Sequence, residues 1–181
     1  GRLADGASGR NAGFVLLGAP GADPGSPDAS ERVRAQRLWS FTRENVRAIR
    51  SLDARAFDLH WTGSVLAAGS EEEASMLRRQ AAALPEVEWL DPDGLHRRIG
   101  GRGFHGGLFV GEGGVLHPAK LVRHLASLSG ATVLERSRVL RLGTEAGGVV
   151  VSGREGELRA GRVALCLNAY LPQLLPELAG W

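Results

Sequence analysis

Apolar and polar positions follow different spacings in successive stretches of the chain, and each spacing predicts an element. Residues 1–13 are small and glycine-rich and read as a loop, followed by a short apolar run, Phe14–Leu17. Residues 18–29 hold three prolines and three glycines and read as a second loop. From about 28 to 51, Val33, Leu38, Phe41, Asn45, Ile49 and Leu52 recur at roughly helical spacing, with Arg and Glu between them. Asp28 or Ser30 can cap the start of this helix. Its arginines form a basic side, expected to be solvated and paired with Glu31 and Glu44.

Residues 57–68 read as a strand. Ser70 and Glu73 form a capping box opening a helix to about Leu84. Asp91-Pro92 starts a short helix, with the aspartate as cap and proline at the first helical position. Residues 106–111 read as a strand, and His117-Pro118 opens a helix that ends at Gly130. The last third is rich in β-formers: Ala131–Arg136, Val139–Gly143, Val149–Ser152 and Val163–Leu167, with turns at Gly147-Gly148 and Gly153–Gly156. Val163–Leu167 is apolar throughout, which predicts a strand buried on both faces, with Cys166 as an inert buried thiol. The helix Lys120–Ser129 is expected to pack on a sheet containing Ala131–Arg136 and Val163–Leu167.

Composition narrows the classes. The 181 residues are 43% hydrophobic, enough for a core. The net charge is +2, acids and bases are interspersed, and Lys120 is the only lysine. No basic stripe of the kind nucleic acids require is present. Cys166 is the only cysteine, which rules out a disulfide framework within the chain. Apolar runs fall far short of the ~20 residues of a membrane span. The first residues lack the apolar core of a signal peptide, so a cytoplasmic protein is expected.

Two glycine motifs compete for a ligand role. Gly101-Arg102-Gly103-Phe104-His105-Gly106 matches the dinucleotide fingerprint literally. That fingerprint works only after a strand and before a helix. Here a short helix is expected before it and a strand after it, so these glycines are assigned to turns. The second stretch is Gly6-Ala7-Ser8-Gly9-Arg10-Asn11-Ala12-Gly13. Small residues let backbone N–H groups approach a ligand, and successive amides can form an anion-binding concavity. Ser8 and Asn11 add hydrogen-bonding groups, and Arg10 adds a planar cation suited to phosphate. On physical grounds alone this stretch reads equally well as a ligand loop or a mobile tail.

The same stretch resembles the second flavin-contacting loop of the D-amino-acid-oxidase-like FAD superfamily, in particular its γ-glutamylputrescine oxidoreductase and glycine oxidase branches. Trp61–Leu66, Gly114–Val122, Val133–Leu142 and Val163–Tyr170 resemble further family segments in the same order. The resemblance implies an α/β fold with an α+β substrate-domain portion, that is, part of a glutathione-reductase-like FAD-binding fold. The family's strand-preceded fingerprint and ribose-binding acid, its N-terminal βαβ unit, would lie upstream of Gly1. It implies that residues 1–27 and 116–181 belong to a discontinuous FAD domain, with 28–51 as a long helix of that domain and 52–115 as part of the substrate domain. Ala7, Ser8, Arg10, Asn11, Ala12 and Gly13 would line the FAD, Val139 would contact adenine, and Asn168 and Ala169 would lie near the pyrophosphate.

The implied reaction is oxidation of the C–N bond of a small amine or amino acid, with hydride passing to FAD and electrons then to oxygen. No residue pattern names a catalytic group. His117 and His124 share a helix face without a third ligand, and no metal is expected. His60, His96 and His105 have no evident partner in the sequence. The alternative is a flavin-free remnant acting only as a folded or oligomerising domain, which self-association would accompany.

Overall fold

The computed structural model describes residues 1–145 and 147–178. The first helix, α1 (Ala29–Arg50), begins where Asp28 accepts a hydrogen bond from the Glu31 amide at 2.8 Å. Such a cap satisfies one of the four free N–H groups at the helix start. Arg32 and Arg43 of α1 bond groups outside the helix, while Arg34, Arg37, Arg47 and Arg50 are exposed as expected. Ser26 Oγ donates to the Glu31 carboxylate at 2.6 Å, and Arg32 donates to the Ser26 carbonyl at 2.6 Å. Arg43 pairs with Glu86, which also accepts from Trp39 Nε1 at 2.8 Å. Tertiary neighbours thus replace part of the expected pairing within the helix.

One sheet carries the central core. Strands β2 (Ser64–Ala67), β3 (Val87–Leu90) and β4 (Gly107–Val110) pair antiparallel in the order β2–β4–β3. Helix α2 (Glu71–Ala83) covers it, burying Ala74 and Leu77 with Ala68, Leu84, Val87, Leu108 and Val110. The capping box forms with a shifted partner: Ser70 Oγ accepts from the Glu73 amide, and the Glu73 carboxylate accepts from the Gly69 amide. Helix α3 (Pro92–Ile99) is capped by Asp91 and ends at left-handed Gly100. The glycine stretch 101–106 therefore has a helix before it and β4 after it, as its assignment to turns requires. A Cβ on Gly106 would lie 2.4 Å from the Trp89 ring, so this glycine serves close packing.

The strand expected over 57–68 is only partly formed. Ala54–Phe57 is a 3-10 turn capped by Asp53, and Asp58 is left-handed at φ 52°. Regular pairing begins at Ser64, after Gly63 at φ 71° interrupts the run. Strand β3 was not anticipated, because its four residues include the charged Glu88 and are too short for an alternation to stand out.

Two further strands, β1 (Phe14–Val15) and β5 (Gly114–Val115), pair antiparallel and lead into helix α4 (Pro118–Ser129). Val15, Val46, Phe57 and Leu59 form a second core on which Leu116 and Leu121 pack. Val46 thus ties α1 to the segments before and after it.

The last third agrees with expectation in its hairpin, where the runs Val139–Gly143 and Val149–Ser152 pair as strands, and departs from it on either side. An antiparallel sheet of β6 (Val139–Glu145), β7 (Gly148–Gly153) and β8 (Glu157–Ala160) forms, followed by the one-turn helix α5 (Leu171–Leu174). Ala131–Arg136 and Val163–Leu167 are not strands, and their residues are exposed. Cys166 is exposed as well, contrary to the buried thiol expected. An apolar segment becomes a buried strand only when neighbours complete its ladder and cover its faces. Among the described residues no strand pairs with either segment. The backbone near Arg136 instead meets the chain start: Arg136 N–H donates to Gly1 O and Leu3 N–H to Glu135 Oε1, each at 2.7 Å. Helix α4 consequently packs on the 3-10 turns Ala7–Gly9 and Ala54–Phe57 rather than on a sheet of these segments.

Candidate functional site

The loop Ala7–Gly13 is ordered by its own side chain. Asn11 Nδ2 donates to the carbonyls of Ala7 and Ser8 at 3.1 and 3.0 Å, and its Oδ1 accepts from the Gly13 amide at 2.9 Å. Asn11 is thus an internal staple, and a role as ligand donor is left to other groups. Ala7, Ser8, Arg10, Asn11 and Ala12 are exposed, and Gly13 is buried. The amides of Ala7, Ser8, Asn11 and Ala12 donate to no group among the described residues, and the Arg10 guanidinium makes no ion pair among them. Free amides and a guanidinium without an ion pair give this loop exposed hydrogen-bond donors, which suit an anionic group.

Gly13 joins this loop to α4. It sits at φ 73°, and a Cβ there would come within 2.1 Å of the Leu116 carbonyl oxygen. Its own carbonyl accepts from the Leu116 amide at 2.8 Å. The next residue, His117, caps α4: its amide donates to Phe57 O at 2.8 Å, and its Nδ1 faces the Lys120 amide at 3.4 Å. Lys120 Nζ donates to Asp58 Oδ2 at 2.6 Å. That hydrogen bond, with the charges of Lys120, His117 and His60, holds the Asp58 carboxyl below the usual aspartate range. Asp58 and His117 line, with Gly9, Asn11, Val115, Leu116 and Pro118, a shallow cleft of about 440 Å³.

The other expected site residues lie elsewhere. Val139 opens β6 opposite Gly153, beside a register shift between Val139 and Arg141. It lines a hollow of about 380 Å³ together with Val163–Leu167 and Tyr170. Asn168, left-handed at φ 47°, and Ala169 form the 3-10 turn that follows this hollow. Val139 is thereby brought beside the 163–170 segment, while the Ala7–Gly13 loop lines a different cleft. The bonds from Gly1 and Leu3 to Arg136 and Glu135 connect the two.

Asp58, Lys120 and the capping role of His117 escaped sequence reasoning. The His-Pro pair marked a helix start, but nothing in spacing relates positions 58 and 120. Three of the other histidines have partners: His105 Nδ1 lies 3.4 Å from the Glu71 carboxylate, His96 Nδ1 lies 3.1 Å from Gly101 O, and His124 tilts against Phe57.

A family model described as FAD dependent oxidoreductase (DAO) matches residues 1–180. The chain belongs to this family. It is 28% identical over 98% of its length to "Probable oxidoreductase OrdL" of Rhizobium meliloti (strain 1021), and covers 44% of that protein. It is 26% identical to the glycine oxidase of Bacillus licheniformis over 80% of the chain and 39% of that protein. The solved glycine oxidase of Bacillus cereus ATCC 14579 shares its fold with a TM-score of 0.74 at 18% identity, over 97% of this chain and 49% of that one. The chain therefore spans less than half the length of each of these relatives, and its mixed α/β fold is that of FAD-dependent oxidases.

Proposed function

We propose that these residues form part of an FAD-dependent oxidoreductase that oxidises the C–N bond of a small amine or amino acid, with oxygen as the final electron acceptor. The observation that carries this reading is the Ala7–Gly13 loop: exposed free amides and Arg10, held rigid by Asn11 and anchored at Gly13. Its sequence resembles the family's flavin-contacting loop, and its exposed donors suit a phosphate or the polar edge of a flavin. Residues 1–27 and 116–181 are assigned to the FAD domain, together with α1 in 28–51, and 52–115 to the substrate domain.

When bound, FAD supplies the two-electron acceptor for the oxidation. Ala7, Ser8, Asn11 and Ala12 would hold it through their free amides and Arg10 through its guanidinium, with Gly13 shaping the end of the loop beside it. Val139 would offer backbone contacts to the adenine, and Asn168 and Ala169 would approach the pyrophosphate. The protein's part is to orient cofactor and substrate and to exclude water. The substrate loses hydride and a proton to give an imine, which hydrolyses to a carbonyl compound.

The test is to express these residues within their full reading frame and record the absorbance of the purified protein. A flavin spectrum that bleaches anaerobically on adding a small amine or amino acid supports the reading. A colourless protein that stays colourless after FAD is added overturns it.

A second reading has its own observation. Val133, Leu134, Leu140, Leu158 and Leu165 are exposed on the last third of the chain. Apolar surface of this kind favours association of the isolated chain, as in a flavin-free oligomerising domain. Light scattering that shows a monomer at micromolar concentration removes it.

A further inference from the structure

The Ala7–Gly13 loop packs against α4 at its Ala7–Gly9 turn, and at its Gly13 end it is held by a chain of bonds that finishes on the surface. Gly13 O accepts from Leu116 N–H, and the adjacent His117 N–H donates to Phe57 O, each at 2.8 Å. Phe57 is fully buried, so this second bond fixes residues 116–117 to the core. One residue on, Asp58 turns left-handed and directs its carboxylate at Lys120, in the first turn of α4. The pair bridges positions 62 residues apart and closes the link between the 3-10 turn Ala54–Phe57 and the start of α4. Leu116 O and Pro118 Cδ lie close to Gly13 on its α4 side, at 2.1 and 3.2 Å from the position a Cβ would take. Any movement of the α4 start is therefore passed to the end of the loop.

We propose that Lys120 and Asp58 are positioning residues for the Ala7–Gly13 loop: their ion pair latches the start of α4, and through Leu116 the loop, in the geometry that presents its free amides. The functional consequence rests on reading that loop as a cofactor-contacting one. Asp58 faces Lys120 and His117 from α4 and its cap, and His60 from the segment after the turn. Lys120 is the strongest of these partners because it alone bonds the carboxylate directly. Neither residue touches the reacting atoms in this account; both act through Leu116 and Gly13.

The test uses amide hydrogen exchange in the 181-residue chain without added FAD, so that it stands apart from the cofactor reading. The variants are Lys120→Met, which keeps the aliphatic stem, Asp58→Asn, which tolerates the left-handed backbone, and Lys120→Arg, which keeps the charge. The amides read are Gly13, Leu116 and His117, with those of β4 as the reference for global stability. K120M and D58N are expected to exchange up to about fivefold faster at the three amides, the size an exposed ion pair supports. The β4 amides stay unchanged, and K120R restores wild-type rates. A purely structural pair would instead change β4 in proportion. Three amides that exchange at wild-type rates in K120M and D58N, or change only together with β4, would overturn the proposal. The cofactor reading is decided separately, by the spectrum of the longer protein.

Discussion

Gly13 and Leu116 are locked together: the Gly13 carbonyl accepts from the Leu116 amide at 2.8 Å, while the Leu116 carbonyl occupies the space of a Cβ on Gly13. With φ at 73°, Gly13 sits in the left-handed region that a side chain disfavours. Gly13→Ala should therefore cost roughly 2 kcal/mol or more from backbone strain and the carbonyl clash together. For a chain of this size that corresponds to a fall of about 4–8 °C in Tm. A thermal melt of the variant that coincides with wild type would show that the loop is not held as described.

Asn11 and Ser8 look equivalent in the sequence, as two polar residues in one glycine-rich loop, but only Asn11 bonds three backbone groups of that loop. Asn11→Asp keeps the acceptor for Gly13 and turns two donors into an anion facing the carbonyls of Ala7 and Ser8. The variant is expected to lose about 1–3 kcal/mol of stability by leaving those groups in repulsive contact. Ser8→Ala should be silent within about 0.5 kcal/mol, since the Ser8 hydroxyl bonds nothing among the described residues. Urea midpoints of both variants check the contrast, and equal losses would contradict it.

The Asp58–Lys120 pair carries a pH signature. A carboxyl whose pKa is lowered by folding contributes stability that is present above its unfolded value and lost as pH falls through the lowered folded value. The contribution should therefore persist through neutral and mildly acidic pH and vanish only below the ordinary aspartate pKa of 3.8. A carboxyl ¹³C titration should place Asp58 below 3.8, first because Lys120 bonds it and then because of nearby positive charge. In K120M the midpoint should move upwards. An Asp58 midpoint that is the same in wild type and K120M would show that the pair is not formed in solution.

What the sequence made legible was local. Asp28, Ser70 and Asp91 announce their helices because capping is a contact between residues three apart, and Gly130 ends its helix for an equally local reason. The glycine loop was legible as a close-approach segment, but the fact that Asn11 staples it was not. The misreadings were of segments whose state is set by distant partners. Val163–Leu167 has the composition of a buried strand, yet no strand pairs with it among the described residues, and Cys166 is exposed with it. Val87–Leu90 has an unremarkable composition and is a strand because β4 offers it a ladder. The Asp58–Lys120 pair depends on a left-handed residue and a helix start meeting across the fold, which no spacing rule encodes.

The central claim is that the Ala7–Gly13 loop contacts FAD, and it is most directly tested by amide exchange in the protein expressed within its full reading frame, with and without FAD. The free amides of Ala7, Ser8, Asn11 and Ala12 are expected to exchange at least about tenfold more slowly with FAD bound, since each gains an acceptor or loses solvent there, while the amides of β2, β3 and β4 stay unchanged. Bound FAD, seen by its absorbance, with these four amides exchanging at the same rate as in the apoprotein, would contradict the account.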